Sequence, residues 1–295
     1  MNSILKKIRQ SDAFNKENRI PYAKAVLLMG LFTFIFLGAE FLFVNMISNT
    51  VSGSQSVAAQ NYALGISVIG FILYPLFCRF CKGNLQSVIS MGASVLSVVC
   101  FFLICRHSSY VLTLCIGLFL FLILGAFGSA VFYKSLCLLE DNTYVARLVG
   151  ISYMLGTLLQ IANSNLIHSA AFEAVILSVF TLILAVTLMR AEKNSIVPAF
   201  SKDNSSDDTG ETGKVSLKVI IMLTFFVALL TCIFSTLDNA VTLYHASGVV
   251  NIGQWPRILL ALSGLLAGFL FDIAGRKYMS MIMYCVMILS TTCLV

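Results

Sequence analysis

Gly268-Phe-Leu-Phe-Asp272-Ile-Ala-Gly275-Arg276-Lys277 is the stretch on which the fold of this chain turns. It joins a long apolar segment, Trp255 to Ala274, to a second that starts at Tyr278. An acid, a glycine and two bases in that order, between two such segments, read as a charged hairpin linking membrane helices. Gly268 permits close helix approach, Gly275 permits a tight turn, and Asp272 can pair with Arg276.

The rest of the chain has the composition this reading needs. Hydrophobic residues make up 59% of it and charged residues 11%, with a mean hydropathy of +0.93. Soluble domains are closer to one quarter charged, so the chain belongs in lipid. Segments long enough to cross a bilayer recur. The spans read as Ala25–Ile47, Tyr62–Phe77, Leu85–Cys105, Tyr110–Phe132, Val145–Ile167, Ala171–Met189, Val215–Leu237, Trp255–Ala274 and Tyr278–Val295. Eight are complete, and the ninth is still apolar at the last residue. A chain that stops about three spans short of a twelve-span protein is therefore expected.

Charge placement predicts sidedness. Counted in alternate loops, 17 of the 19 Lys and Arg residues fall on the side of the N-terminus, among them Lys24, Arg79, Lys134, Arg147, Arg190 and Lys277. Only Arg106 and Arg257 fall on the other. The positive-inside rule makes the base-rich side cytoplasmic. The net charge of +6 then needs no nucleic acid to explain it. The first span is too long for a signal-peptide core and contains Glu40, so no cleavable signal is expected. Most of the nine cysteines lie inside spans, where a free thiol packs as a small hydrophobe. Cys78-x-x-Cys81 has no second Cys or His pair nearby, and the Asn204-Ser-Ser206 sequon lies on the predicted cytoplasmic side.

Four regions follow: a cytoplasmic N-terminal segment 1–24, a six-helix bundle 25–189, a linker 190–214 and a partial second bundle 215–295. The linker is marked by Ser201-Lys-Asp-Asn-Ser-Ser-Asp-Asp-Thr-Gly210, too polar for lipid and without apolar periodicity. The halves on either side of it share a register. Leu31, Thr33, Ile35 and Phe36 recur as Leu229, Thr231, Ile233 and Phe234, a shift of 198. At that shift Glu40 falls on Asp238, Gly70-Phe71 on Gly268-Phe269, and Arg79 on Lys277. Apolar matches mean little in Leu-rich helices, but an acid, a glycine and a base holding register mean more. Six spans separate the copies, so the repeats run parallel.

The candidate site follows from the intramembrane polar residues. Glu40 lies about 16 residues into span one, about 10 Å below the outer surface. An acid at that depth costs roughly 2–3 kcal/mol on insertion scales, so it belongs beside a polar cavity or a partner. It is either a substrate or proton site, or a structural acid bonded to a neighbouring helix. Asn45, slightly more than one turn on, is placed to share its face. Asp238 and Asn239 occupy the equivalent place in span seven. Arg257 follows Trp255-Pro256 and reads as a snorkelling residue at a helix start, with an ion pair to Asp238 or an anionic substrate as its other role. The chain shows no phosphate-binding glycine loop, no nucleophile elbow and no His pair at metal-ligand spacing. No enzyme, cofactor or metal site is expected.

The spacing G-x-x-x-D-x-x-G-R-K at Gly268–Lys277, with the span count and the parallel repeat, resembles the cytoplasmic signature loop of the major facilitator superfamily. The resemblance implies an all-α integral membrane fold: a complete six-helix N-terminal bundle and the first three helices of a C-terminal one. It implies a secondary transporter, moving a small solute by alternating access in the inner membrane of a bacterium, with proton coupling as an option. Helices one and seven would line a central cavity, which brings Glu40 and Asp238 to one pocket. Gly268, Asp272, Gly275, Arg276 and Lys277 would form the cytoplasmic gating loop. The first-half copy, Gly70 to Arg79, keeps the glycine and one base but not the acid. Span four lacks the family's intramembrane Arg, and span five lacks the Gly-Pro pair of the antiporters. A second resemblance, over Leu237-Asp-Asn-Ala-Val-Thr and Gln254-Trp-Pro-Arg-Ile-Leu-Leu-Ala-Leu-Ser-Gly, is to bacterial sensors with a facilitator-like membrane half and a LuxR-type DNA-binding domain. The expected partners are the bilayer and a small solute, with no nucleic acid.

Overall fold

In hydrocarbon every backbone amide and carbonyl must find its partner within the protein, so an apolar chain of this kind folds into helices. The computed structural model describes residues 16–80, 84–106, 109–139, 145–194 and 255–274, and these form seven helices. They are α1 (Lys16–Ser48), α2 (Gly53–Phe80), α3 (Asn84–Cys105), α4 (Tyr110–Cys137), α5 (Val145–Leu166), α6 (Ala170–Asn194) and α7 (Trp255–Ala274). The first six are long and apolar enough to cross a bilayer. Short connections make successive helices antiparallel, as in helical bundles generally. The predicted spans seven and nine lie outside the described residues, as does the linker beyond its first residues.

The helices are longer than hydropathy alone marks. Span one was read from Ala25, but α1 starts at Lys16 and carries Pro21 inside it. Span two was read from Tyr62, but α2 starts at Gly53. Its polar first turns are held by burial, with Ser56, Val57 and Ala59 packed inside. A hydropathy window cannot see that, because it scores composition and not contact. α6 likewise continues to Asn194, into the predicted linker.

α1 is the hub and packs against α2, α3, α4, α5 and α6. Its buried face carries Ile35, Leu42, Phe43 and Ile47. The Phe121 ring of α4 meets Phe36 edge-on at 5.5 Å and Phe43 at 5.7 Å. Such aromatic pairs add about 0.5–1.5 kcal/mol beyond their burial. The perimeter stays apolar: Val68, Ile72, Val95, Val111 and Val179 point outward, a surface suited to lipid tails.

The helix neighbours are arranged with an internal symmetry. Exchange α1 with α4, α2 with α5 and α3 with α6. The α2–α4 pairing then becomes α5–α1, α1–α6 becomes α4–α3, and α1–α3 becomes α4–α6, while α1–α4 and α3–α6 map onto themselves. The α1–α2 pairing has no α4–α5 counterpart of similar extent, so the exchange holds for most neighbours and not for all; because helix direction alternates, it relates helices of opposite direction. Two close glycine crossings are related by the same exchange. A Cβ on Gly70 of α2 would strike the Leu122 carbonyl of α4, and one on Gly125 the Ser67 carbonyl of α2. In the equivalent α5–α1 crossing, a Cβ on Gly156 would lie 2.9 Å from the Gly30 carbonyl. Small residues at such points let two backbones meet, which is the main packing device available in lipid.

Candidate functional site

Glu40 of α1 is half-buried and faces α2, where Gln60 donates its Nε2–H to Glu40 Oε1 over 2.6 Å. An amide donor to a carboxylate is a charge-assisted bond and offsets part of the cost of placing the acid at this depth. Gln60 lies ahead of the predicted span two and was not anticipated. The Gln60-Asn61 doublet, directly before the apolar run, was the available signal.

Asn45 does not share this surface. Five residues at 100° each turn it about 140° away from Glu40. It lines an open cleft of about 370 Å³ on the face opposite the base-rich one, between the end of α1 and the α5–α6 turn. Asn49, Ser164, His168, Ser169 and Glu173 also line this cleft.

Glu173 is the acid that sequence reasoning missed. It stands in the first turn of α6 and is only 4% exposed. From sequence it reads as an ordinary acid at a helix N-terminus, where the dipole favours it. In the fold it accepts two amide donors on one oxygen, from Gln160 Nε2 at 3.4 Å and Asn163 Nδ2 at 3.3 Å. Gln160 and Asn163 are three residues apart and so share one face of α5. That spacing, ahead of a first-turn acid on the next helix, was the legible signal. Gln160 Oε1 itself has no hydrogen-bond partner among the described residues. Nearby, the Cys105 thiol donates to the Ala170 carbonyl at 3.4 Å and ties the end of α3 to the start of α6.

On the base-rich face, α7 packs along α5. A Cβ on Gly150 would lie 2.7 Å from the Gly264 carbonyl, and one on Gly268 would lie 2.7 Å from the Ala146 carbonyl. Gly264-x-x-x-Gly268 thus lies against Ala146-x-x-x-Gly150, small residues at the same spacing on both helices. Above them the Arg147 guanidinium sits 4.8 Å from the centre of the Phe269 ring. Arg147 had been counted as a loop charge; it is 4% exposed and belongs to this contact. Lys134, counted with it, donates its Nζ–H to the Leu188 carbonyl of α6 at 2.8 Å.

Of the other expected site residues, Arg257 and Asp272 fall within α7, though the structure describes nothing of their side chains. Asp238, Asn239, Gly275, Arg276 and Lys277 lie outside the described residues. Among the described residues, no three His, Cys, Asp or Glu gather to hold a metal.

Compared with known proteins, the chain matches no protein-family model, no curated protein and no solved structure. Its class rests on the fold alone: six long apolar helices with an apolar perimeter make it a multi-pass α-helical membrane protein.

Proposed function

We propose that the chain is a secondary transporter of the major facilitator type, moving a small solute by alternating access. The observation that carries this reading is the neighbour pattern of α1 to α6, most of which is preserved when α1, α2 and α3 are exchanged with α4, α5 and α6. Each six-helix half of such transporters nests two inverted three-helix repeats, and the halves repeat in parallel. The 198-residue register between Glu40 and Asp238, and between Gly70 and Gly268, supplies the parallel part.

The α5–α7 contact supports the same reading. A two-fold axis along the membrane normal needs helices of the first bundle to meet helices of the second. A contact built from Gly150, Gly264, Gly268 and Ala146 joins them with little side-chain interlock, so one bundle can rock against the other. In this scheme the N-terminus is cytoplasmic, and Gly268 to Lys277 gates that side. Glu40 and Asp238 are the acids offered to substrate or proton.

The test is uptake by proteoliposomes holding the purified full-length protein, across a panel of cationic, neutral and anionic small solutes with and without a pH gradient. Gradient-dependent uptake that falls in Glu40→Gln or Asp238→Asn supports the reading. Unchanged uptake in both variants removes these acids from the mechanism. Solute binding without any uptake would instead favour a membrane sensor.

A further inference from the structure

Glu173 sits in an unusual environment for a carboxyl group. It is almost fully buried, yet it lines a cleft open to the face opposite the base-rich one. Among the described residues no Lys or Arg pairs with it; its partners are the Gln160 and Asn163 amides, both on Oε1. A carboxylate offers about four acceptor positions over its two oxygens. The two amides therefore orient the group through one oxygen and leave acceptor capacity on the other. A buried acid held this way either keeps its proton or, when ionised, is balanced by a cation that reaches it through the cleft.

The walls say which kind of cation. A divalent metal needs several carboxylate, thiolate or imidazole ligands, and only Glu173 and His168 of those types line this cleft. An ammonium group needs less: one carboxylate and a few neutral oxygens, which Asn45, Ser164 and Ser169 provide. Phe41 and Met46 make part of the wall apolar, which suits an attached hydrocarbon, and an aromatic ring suits a cation. A volume of about 370 Å³ matches the lower end of small-molecule sites.

We propose that this cleft binds a small organic amine in its protonated form, the Glu173 carboxylate holding the ammonium and the Phe41–Met46 wall holding the hydrocarbon. Glu40, bonded to Gln60 of α2, does not line this cleft, and the proposal does not rest on the transport reading. A transporter could use it as a first stop for its solute, and a sensor as its receptor.

The experiment is calorimetric titration of the full-length protein in lipid nanodiscs at neutral pH, with phenethylamine as the probe and 2-phenylethanol as its uncharged counterpart. The amine binds, and the alcohol binds at least about tenfold more weakly, a difference of about 1.4 kcal/mol. Glu173→Gln weakens the amine at least as much, while Gly65→Ala, which faces open space, leaves it unchanged. Ser169→Trp, at an exposed position on the cleft wall, also abolishes binding; its backbone carbonyl still accepts the Glu173 N–H at the start of α6. If Glu173→Gln fails to fold, the wild-type chain supplies the answer. Phenethylamine should protect Glu173 from dicyclohexylcarbodiimide, read by peptide mass spectrometry as retention of the unmodified Glu173 peptide, with the phenethylamide that the amine would form on an activated carboxyl counted as modification. No binding by the folded wild type, equal binding of amine and alcohol, unimpaired binding in Ser169→Trp, or no protection would each overturn the proposal.

Discussion

The guanidinium of Arg147, on α5, lies 4.8 Å from the centre of the Phe269 ring on α7, and this stack joins helices from the two sides of residues 195–254. Loss of the stack should therefore weaken the hold of α7 on the first bundle. A buried cation over an aromatic face contributes about 0.5–2 kcal/mol. Arg147→Met keeps most of the packing and removes the charge, and Phe269→Leu removes the ring. Thermal unfolding of both singles and of the double variant should give a coupling in that range. A coupling of zero would mean that the stack contributes nothing.

Gly268 and Gly150 should tolerate no side chain. A Cβ at either would sit 2.7 Å from a carbonyl oxygen of the facing helix. Gly268→Ala and Gly150→Ala should each destabilise by about 1–3 kcal/mol, the usual cost of overpacking. Gly65→Ala and Gly92→Ala face open space and should be neutral or stabilising by up to about 1 kcal/mol through helix propensity. Denaturant unfolding in mixed micelles separates the two pairs, and equal effects at all four positions would contradict the close α5–α7 approach.

The Glu40–Gln60 bond makes a prediction about which partner may be changed. Glu40→Gln keeps an oxygen to accept from Gln60 and should cost less than about 1 kcal/mol in stability. Glu40→Ala leaves the Gln60 amide with no acceptor there and should cost about 1–3 kcal/mol. The stability of Glu40→Gln is what makes it usable in the uptake assay, because any loss of uptake then reports on function. If both variants unfold alike, the bond at 2.6 Å is not a stabilising one.

Sidedness can be read directly. With the N-terminus cytoplasmic, the α3–α4 connection faces outward and the residues after α4 face inward. In a chain freed of its native cysteines, Ser109→Cys should react with an impermeant maleimide on intact cells. Leu139→Cys should react only after lysis. The opposite pattern would invert the topology and place the amine cleft on the cytoplasmic side.

Long apolar runs broken by charge are enough to predict α1 to α6, because lipid leaves a backbone no alternative to the helix. The span from Trp255 to Ala274 coincides with α7 for the same reason. Helix ends were less legible: the polar starts of α1 and α2 are helical through contacts that composition does not record. Glu40 was legible as costly in lipid, but its partner Gln60 was not, because the pairing depends on how α2 lies against α1.

Glu173 shows where the boundary falls. In the chain it is one acid at the start of an apolar run, and apart from the Gln160–Asn163 spacing on the preceding helix nothing separates it from a solvated cap. Only the packing of α5 against α6 buries it and brings Gln160 and Asn163 to one of its oxygens. The same holds for Arg147, a positive charge near a predicted loop that the fold lays against Phe269. Sequence alone determined that this chain is a set of membrane-spanning helices, since hydrocarbon selects on composition summed over each segment. Tertiary structure alone decided which polar residues meet, since that depends on the rotation and register of whole helices.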